Sequence, residues 1–378
     1  MSKVHILLAG GGTGGHIYPL VAVAQRLKAQ IATAGAEVDL RYFGEAGTYE
    51  KLLKEQGIKI VSIASSKLRR YASVLNFLDF FKFIWGFIQA MIKIYFFMPE
   101  VMFSKSGPGV LPIVYAARWY RIPLVIHETD AVPGLTSIAS SKHAQIVELA
   151  FENAREYFSK KKIINVVGNP VRESLVSTES AAACRSALGL SDSKPILLFI
   201  GGSQGSERIN YFVLEHGEEL FASYEVIHQT GVEKYEQYKG EFEFVSKNWR
   251  PELKQNYFLY PYLDDQTFTR ALTAADLVIS RSGGSIFEIA AAGKPAILIP
   301  LSSSANNHQF ENAYAYAQAG AGIVLEEGNL LPGIFTTQVE KILQNKEVYA
   351  KMSAGAKAFY KPQAADLIAK DILAIAKT

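Results

Sequence analysis

Two glycine-rich loops, each directly after an apolar run and directly before a helical pattern, restrict this chain more than any other feature. Val4–Ala9 is nearly continuous apolar sequence, GGGTGGH follows at 10–16, and a helical pattern runs from about Pro19 through Leu27. PILLFIGGSQGS at 195–206 repeats that order in the second half. An apolar run without polar alternation is expected of a strand buried on both faces, as in a parallel sheet covered by helices. Further strands are expected over 38–44, 123–130, 163–172, 226–231, 276–284 and 295–301, each running into a polar or glycine-containing loop. This alternation of strand, loop and helix builds an α/β fold. The restart near residue 195 makes two such sheets in tandem. The expected division is 1–165 and 166–350, with a C-terminal helical segment, 351–378, free to pack back on the first domain.

The 378 residues, 49% hydrophobic and 20% charged, suffice for two or three domains with cores of their own and exclude wholesale disorder. Thirty-nine Lys and Arg against 36 Asp and Glu leave a charge of +3, too small to argue for a nucleic-acid partner. A single cysteine, Cys184, allows no internal disulfide and no zinc cluster, which suits a reducing compartment. VHILLA at 4–9 is cut short by glycines and is expected as a strand rather than a secretory leader.

Gly10, Gly12 and Gly15 satisfy G-x-G-x-x-G, the dinucleotide fingerprint. That fingerprint wants an acidic residue about 20 positions on, and the candidate, Glu45, lies about 30 past Gly15. Physically the loop means only that backbone N–H groups and a helix start are presented to something anionic. GGSQGS at 201–206 says the same in the second half. Two such loops suit a donor and an acceptor that both carry phosphates, whereas one dinucleotide needs one loop.

The residues around the loops carry more. GGGTGGHIYPLVAVA (10–24), HETDAVPGLTS (127–137), GNPVR (168–172), GGSQGSERIN (201–210), HQTG (228–231), SRSGGSIFEIAAAGKPAILIPL (280–301) and NNHQFENA (306–313) occur in that order. The series resembles the MurG family of bacterial glycosyltransferases, from about residue 4 to residue 320. The resemblance implies the GT-B fold, two Rossmann-like parallel-sheet domains facing across a cleft, with the sugar donor held mainly by the second. It implies transfer of N-acetylglucosamine from UDP-N-acetylglucosamine to the undecaprenyl-diphosphate-linked acceptor, lipid I, on the cytoplasmic face of the cell membrane. No cofactor and no metal are expected.

In such a transferase negative charge grows on the leaving pyrophosphate, where loop amides and helix starts stabilise it. Ser203, Gln204 and Gly205 fit that task, as do Gly284 and Ser285. The resemblance assigns Arg172 and Ser203 to the donor, Glu288 to the ribose hydroxyls, the backbone of Leu263 to the uracil, and Gln309 with His308 to the sugar. His16 is the expected general base or acceptor-orienting group, with Glu128 and Asp130 as rival or supporting carboxylates. Thr13, Gly14 and Gly15 would cradle the acceptor diphosphate or the sugar. The family usually has asparagine at the position of Asp130, and the SRSGGSIFE loop looks one residue short.

One stretch stands apart. Between Val74 and Met98 polar or small residues recur at Asp79, Lys82, Gly86, Gln89 and Lys93, a narrow stripe on a helix that is otherwise apolar. The longest uncharged run, Phe83–Ile92, is about half of the roughly 20 residues that a spanning helix needs. With Lys67, Arg69 and Arg70 just before it, the segment 67–98 is expected to rest on an anionic membrane surface. The alternatives are a core helix for that segment and, for the whole chain, a transferase acting on another lipid such as diacylglycerol, a nicotinamide oxidoreductase, or a UDP-sugar-binding protein without transfer.

Overall fold

The computed structural model describes residues 3–65, 74–175, 179–191, 193–202 and 204–376. The chain folds as two units, Met1–Arg172 together with Lys361–Thr378, and Glu173–Tyr360.

The first unit is built on seven parallel strands: β1 (Lys3–Ala9), β2 (Glu37–Phe43), β3 (Lys59–Val61), β4 (Val101–Ser104), β5 (Leu124–Glu128), β6 (Ile146–Leu149) and β7 (Ile163–Val166). Their order is β3-β2-β1-β4-β5-β6-β7, so the direction of winding reverses between β1 and β4. Open α/β sheets bind ligands at that reversal, outside the carboxyl ends of the strands. β1 shows why its sequence lacks polar alternation. Ile6 and Leu8 enter one core, with Leu27 and Ile31 of the helix Gly14–Thr33. Leu7 and Ala9 enter another, with Ile94 and Phe97 of the helix Val74–Phe97. Both faces of a pleated strand are apolar when both are covered.

The C-terminal helix Ala364–Ala376 completes the first of these cores. Its Ile368, Ala369 and Ile372 are fully buried beside the helix Gly14–Thr33, and Gln30 Nε2 donates to the Asp366 carbonyl at 3.3 Å. The division between the units therefore falls after residues 172 and 360, rather than after 165 and 350. β7 ends at 166, and the backbone continues in the first unit, where Gly168 N–H donates to the Leu149 carbonyl at 3.1 Å.

The helix Val74–Phe97 lies on the sheet in an unexpected orientation. The later part of its polar stripe faces inward, while Lys82 is exposed: Gly86 is buried, Gln89 Oε1 accepts from Ala64 N–H at 2.9 Å, and Lys93 Nζ donates to the Ser62 carbonyl at 2.5 Å. A Cβ on Gly86 would stand 2.5 Å from the Ala64 carbonyl oxygen, so only glycine allows this approach. Ala90, Ile94 and Phe97 are buried beside that stripe, and the rest of the apolar arc faces outward, with Phe80 59%, Trp85 57% and Phe96 80% exposed. Phe81, Ile84, Ile88, Ile92 and Tyr95 are exposed with them. Among the described residues this is one helix, Asp79–Phe97, long and apolar enough by length and composition to cross a membrane. Lys67, Arg69 and Arg70 lie outside the described residues.

The second unit has six parallel strands: β8 (Ile196–Ile200), β9 (Glu225–Gln229), β10 (Tyr257–Tyr260), β11 (Leu277–Ser280), β12 (Ala296–Leu298) and β13 (Gly322–Val324). The order β10-β9-β8-β11-β12-β13 places the same reversal between β8 and β11. Phe199, Phe212, Phe221 and Phe335 anchor its core.

One buried acid couples the C-terminal helix to pH. Glu148 on β6 is fully buried, and Asn165 Nδ2 donates both to Glu148 Oε1, at 3.2 Å, and to Asp371 Oδ2, at 2.8 Å. Burial, and then the facing Asp371, push the Glu148 carboxyl up to about 8. Because this value is raised, the stability contribution is complete below the ordinary 4.5 and is lost as pH rises through about 8. Glu148→Gln is accordingly expected to raise the unfolding free energy at pH 8.5 by on the order of 1 kcal/mol or more, and to do much less at pH 5. Urea titrations of both proteins at the two pH values check this.

Candidate active site

In the first unit the loops that follow β1, β4, β5 and β7 supply the polar groups. Thr13 precedes the helix Gly14–Thr33 in extended conformation without capping it through its side chain. Its hydroxyl instead lies 2.8 Å from His16 Nδ1. The imidazole sits between the Gly11 and Gly107 backbones. A Cβ on Gly107, which has φ +101°, would stand 2.8 Å from His16 Nε2, so only glycine lets the backbone pass this close to the ring. Burial, then the Lys105 ammonium, hold His16 down at about 4 against a smaller opposing effect of Asp130. His16 is therefore neutral at pH 7 and able to accept a proton.

Lys105 lies directly after β4, and the sequence offered no role for it. Its side chain is buried, and its ammonium meets His127 Nδ1 at 2.7 Å, Asn169 Oδ1 at 3.2 Å and the Thr129 hydroxyl. His127 Nε2 is 2.8 Å from the Gly168 carbonyl. A carbonyl only accepts, so Nε2 carries the ring proton and Nδ1 receives one from Lys105. Glu128 is also buried, and its Oε1 accepts from Asp130 N–H at 2.9 Å. Burial pushes Lys105 down and Glu128 up, each to about 7; Glu128 and Asp130 pull Lys105 back toward its charged form. Arg172 lies with its guanidinium 3.5 Å over the Tyr18 ring. The first unit thus brings together Thr13, His16, Glu128 and Asp130. Gly14 and Gly15 form the helix start, where Gly14 is buried and Gly15 is exposed.

In the second unit the loop after β8 packs backbone to backbone on the loop after β9. A Cβ on Gly205, at φ +76°, would stand 1.8 Å from the Thr230 carbonyl oxygen, so no other residue fits. Gln204 and Gly205 lead into the helix Glu207–Glu215, capped by the Ser206 hydroxyl through Ile209 N–H at 3.4 Å. Ser203 lies outside the described residues. Gln229 holds two neighbours at once: Nε2 donates to the Gly202 carbonyl at 3.0 Å, and Oε1 accepts from Leu263 N–H at 2.9 Å. The Leu263 N–H is thus already engaged, and its side chain is core.

The loop after β11 opens the helix Ser285–Ala291, with Gly284 at its N-cap and half-buried Glu288 in its first turn. The Ser285 hydroxyl turns back to the Arg281 carbonyl and the Ser280 hydroxyl, each at 3.2 Å. Its backbone N–H, at the helix start, is what it can offer an anion. Arg281 pairs with Glu327 at 2.6 Å. Gln309 accepts from Leu301 N–H through Oε1 at 3.0 Å, and its carbonyl accepts from the Ser282 hydroxyl at 2.6 Å. Its Nε2 is therefore the end directed away from that bond. His308, beside it, begins the helix His308–Gln318 after Asn306 and Asn307, both left-handed at φ 55°. Gln229, Arg281 and Lys105 carry no glycine-loop or helix-start signature, and only their place directly at or after strand ends would have marked them.

Two parallel sheets of the same winding, each with a glycine loop and helix start at the reversal, define the GT-B class of glycosyltransferases. The chain matches the Glycosyltransferase family 28 N-terminal domain over residues 6–148 and the Glycosyltransferase family 28 C-terminal domain over residues 196–368. It is 36% identical to the UDP-N-acetylglucosamine–N-acetylmuramyl-(pentapeptide) pyrophosphoryl-undecaprenol N-acetylglucosamine transferase of Caldicellulosiruptor saccharolyticus, over 97% of each chain. The transferase of the same name from Clostridium tetani is 35% identical over 92% of each. The crystal structure of Acinetobacter baumannii MurG superposes with a TM-score of 0.70 at 26% identity, covering 98% of this chain and 99% of that one. The chain belongs to the MurG family of glycosyltransferases.

Gln229 tests the architecture of the second-unit site. Gln229→Leu removes both of its hydrogen bonds and leaves the Leu263 N–H buried without its acceptor, at a cost of about 1–3 kcal/mol. Urea unfolding of the full chain measures that loss.

Proposed function

We propose that this enzyme transfers N-acetylglucosamine from UDP-N-acetylglucosamine, with inversion, to the C4 hydroxyl of N-acetylmuramyl-pentapeptide on undecaprenyl diphosphate, the lipid I to lipid II step of peptidoglycan synthesis. The observation that carries this reading is the 36% identity over 97% of both chains with a relative named for that transfer. The first-unit geometry supports it. His16 is neutral at pH 7, and its Nδ1 is engaged by the Thr13 hydroxyl at 2.8 Å. With Nδ1–H donating to the Thr13 hydroxyl, Nε2 takes the acceptor's proton as its oxygen attacks the anomeric carbon. The Asp130 charge favours the imidazolium that results. In the second unit, backbone N–H groups at the starts of the helices Glu207–Glu215 and Ser285–Ala291 suit the departing diphosphate, with Glu288 accepting from the ribose hydroxyls. Labelled UDP-N-acetylglucosamine mixed with lipid I is expected to place label in the lipid fraction. His16→Ala is expected to lower kcat about 100- to 10,000-fold. Label on diacylglycerol, with none on lipid I, would sink the reading.

We also propose that the enzyme sits peripherally on the cytoplasmic face of the cell membrane through the helix Val74–Phe97. The outward Phe80, Phe81, Ile84, Trp85, Ile88 and Ile92 form an exposed apolar surface in addition to the buried face of Ala90, Ile94 and Phe97. The inward bonds of Gln89 and Lys93 would have to break for the helix to span a bilayer, which favours docking. Lys67, Arg69 and Arg70 supply positive charge next to it in sequence. Replacing Phe80, Phe81 and Trp85 together by serine is expected to release the protein from phosphatidylglycerol-containing vesicles in a flotation assay. Undiminished flotation would show that this surface does not anchor it.

A further inference from the structure

We propose that Lys105 is a positioning residue of the transferase: its ammonium joins the loops after β4, β5 and β7 into one rigid wall beside His16. The argument begins with valence. An ammonium has three protons to donate, and here three acceptors surround it: His127 Nδ1, the Thr129 hydroxyl and Asn169 Oδ1. Each acceptor is itself fixed. His127 is held by its Nε2–H on the Gly168 carbonyl at 2.8 Å, and Thr129 donates to Asn169 Oδ1 at 3.2 Å. The Lys105 backbone is tied as well, its N–H donating to the Ala9 carbonyl at 2.9 Å. The lysine thus stands at the winding reversal between β1 and β4, under the Gly10–His16 loop, where a Cβ on Gly10 would lie 3.5 Å from Lys105 Cβ.

A buried ammonium is expensive to desolvate, and a hydrophobic residue would fill the same volume without that cost. Its retention here has a use that packing alone does not supply: a positive charge beside His16 opposes formation of imidazolium before the acceptor arrives. The other ionisable groups facing this cluster are Glu128 at the end of β5, Asp130 after it, and Tyr42 on β2, whose hydroxyl donates to the Gly10 carbonyl. Lys105 is pushed down only to about 7, so its positive charge is present over the more acidic range in which His16 titrates. The role given to His16 rests on the transfer reaction proposed above; the clamp itself rests on the contacts alone.

The test uses the full-length chain, Lys105→Met and Lys105→Gln, the latter keeping two N–H donors while losing the charge. Histidine NMR titration follows His16. In the wild type its midpoint is expected at about 4, and in both variants it is expected to move up toward the ordinary 6.5 without reaching it, because burial remains. In lipid I transfer, kcat is expected to fall about 10- to 100-fold, as when an outer partner of a site residue is lost. The acid limb of the kcat profile should shift to higher pH, and the KM for UDP-N-acetylglucosamine should stay as it was. An unmoved His16 midpoint and an unmoved acid limb in a folded variant overturn the proposal. If Lys105→Met does not fold, Lys105→Gln decides. Absence of transfer by the wild type refutes the proposed function, and the NMR midpoint still decides on Lys105.

Discussion

Parallel pairing is the constraint from which the rest of this enzyme follows. When every strand of a sheet runs one way, all the strand ends meet on one edge, and the helices that return the chain cover both faces. Reversal of the winding then parts two neighbouring loops and opens a place between them. In the first unit that place receives Gly10–His16 after β1 and Lys105 after β4, with Glu128 to Asp130 from β5 and Asn169 after β7 beside it. In the second it receives Gly202 and Gln204–Ser206 after β8 and Arg281–Ser285 after β11, bordered by Gln229–Gly231 and Leu263. Residues far apart in the chain converge because strand polarity leaves them nowhere else to go.

The two units use that place with different chemistry. The first concentrates ionisable groups that are buried and strongly perturbed, His16, Lys105, His127 and Glu128, as proton transfer requires. The second is arranged around backbone dipoles and neutral side chains. Gln229 and Gln309 brace loops through their amides, and the buried His228 is a structural group, held by Asn210 at 3.1 Å and Tyr257 at 2.9 Å. Arg281 is matched by Glu327, so its charge is spent within the fold. The first unit thus gathers perturbed ionisable groups at its winding reversal, the second mainly backbone dipoles and neutral side chains.

Much of this was legible in the sequence, for reasons particular to each element. β1 and β8 announce themselves because both faces of each are covered, which leaves an apolar run ending in glycines. The strands β4, β6 and β13 are only three or four residues long and carry no period of their own; their neighbours in the sheet define them. Lys105 was hidden for the same reason, since a lysine after an unrecognised strand looks like a surface residue. The stripe at Gly86, Gln89 and Lys93 was visible as a period, but periodicity is silent about which side of a helix meets the protein. Only the contact of Gly86 with Ala64 decides that. Ser285 and Leu263 stand where the family motif puts them, while the atoms they have to offer depend on hydrogen bonds that motif spacing does not encode.

The C-terminal helix has a consequence for how the protein is made. Ile368 and Ile372 belong to the same core as Ile6 and Leu8, yet all of Glu173–Tyr360 must be synthesised between them. At ordinary translation rates that separates the first unit from its last helix by roughly 10–40 s. During that interval the helix Gly14–Thr33 presents a bare apolar flank, while the second unit, contiguous in sequence, can close as soon as it emerges. The part of the enzyme begun first is therefore finished last, and its half-built core is the species that chaperones and proteases meet on the ribosome.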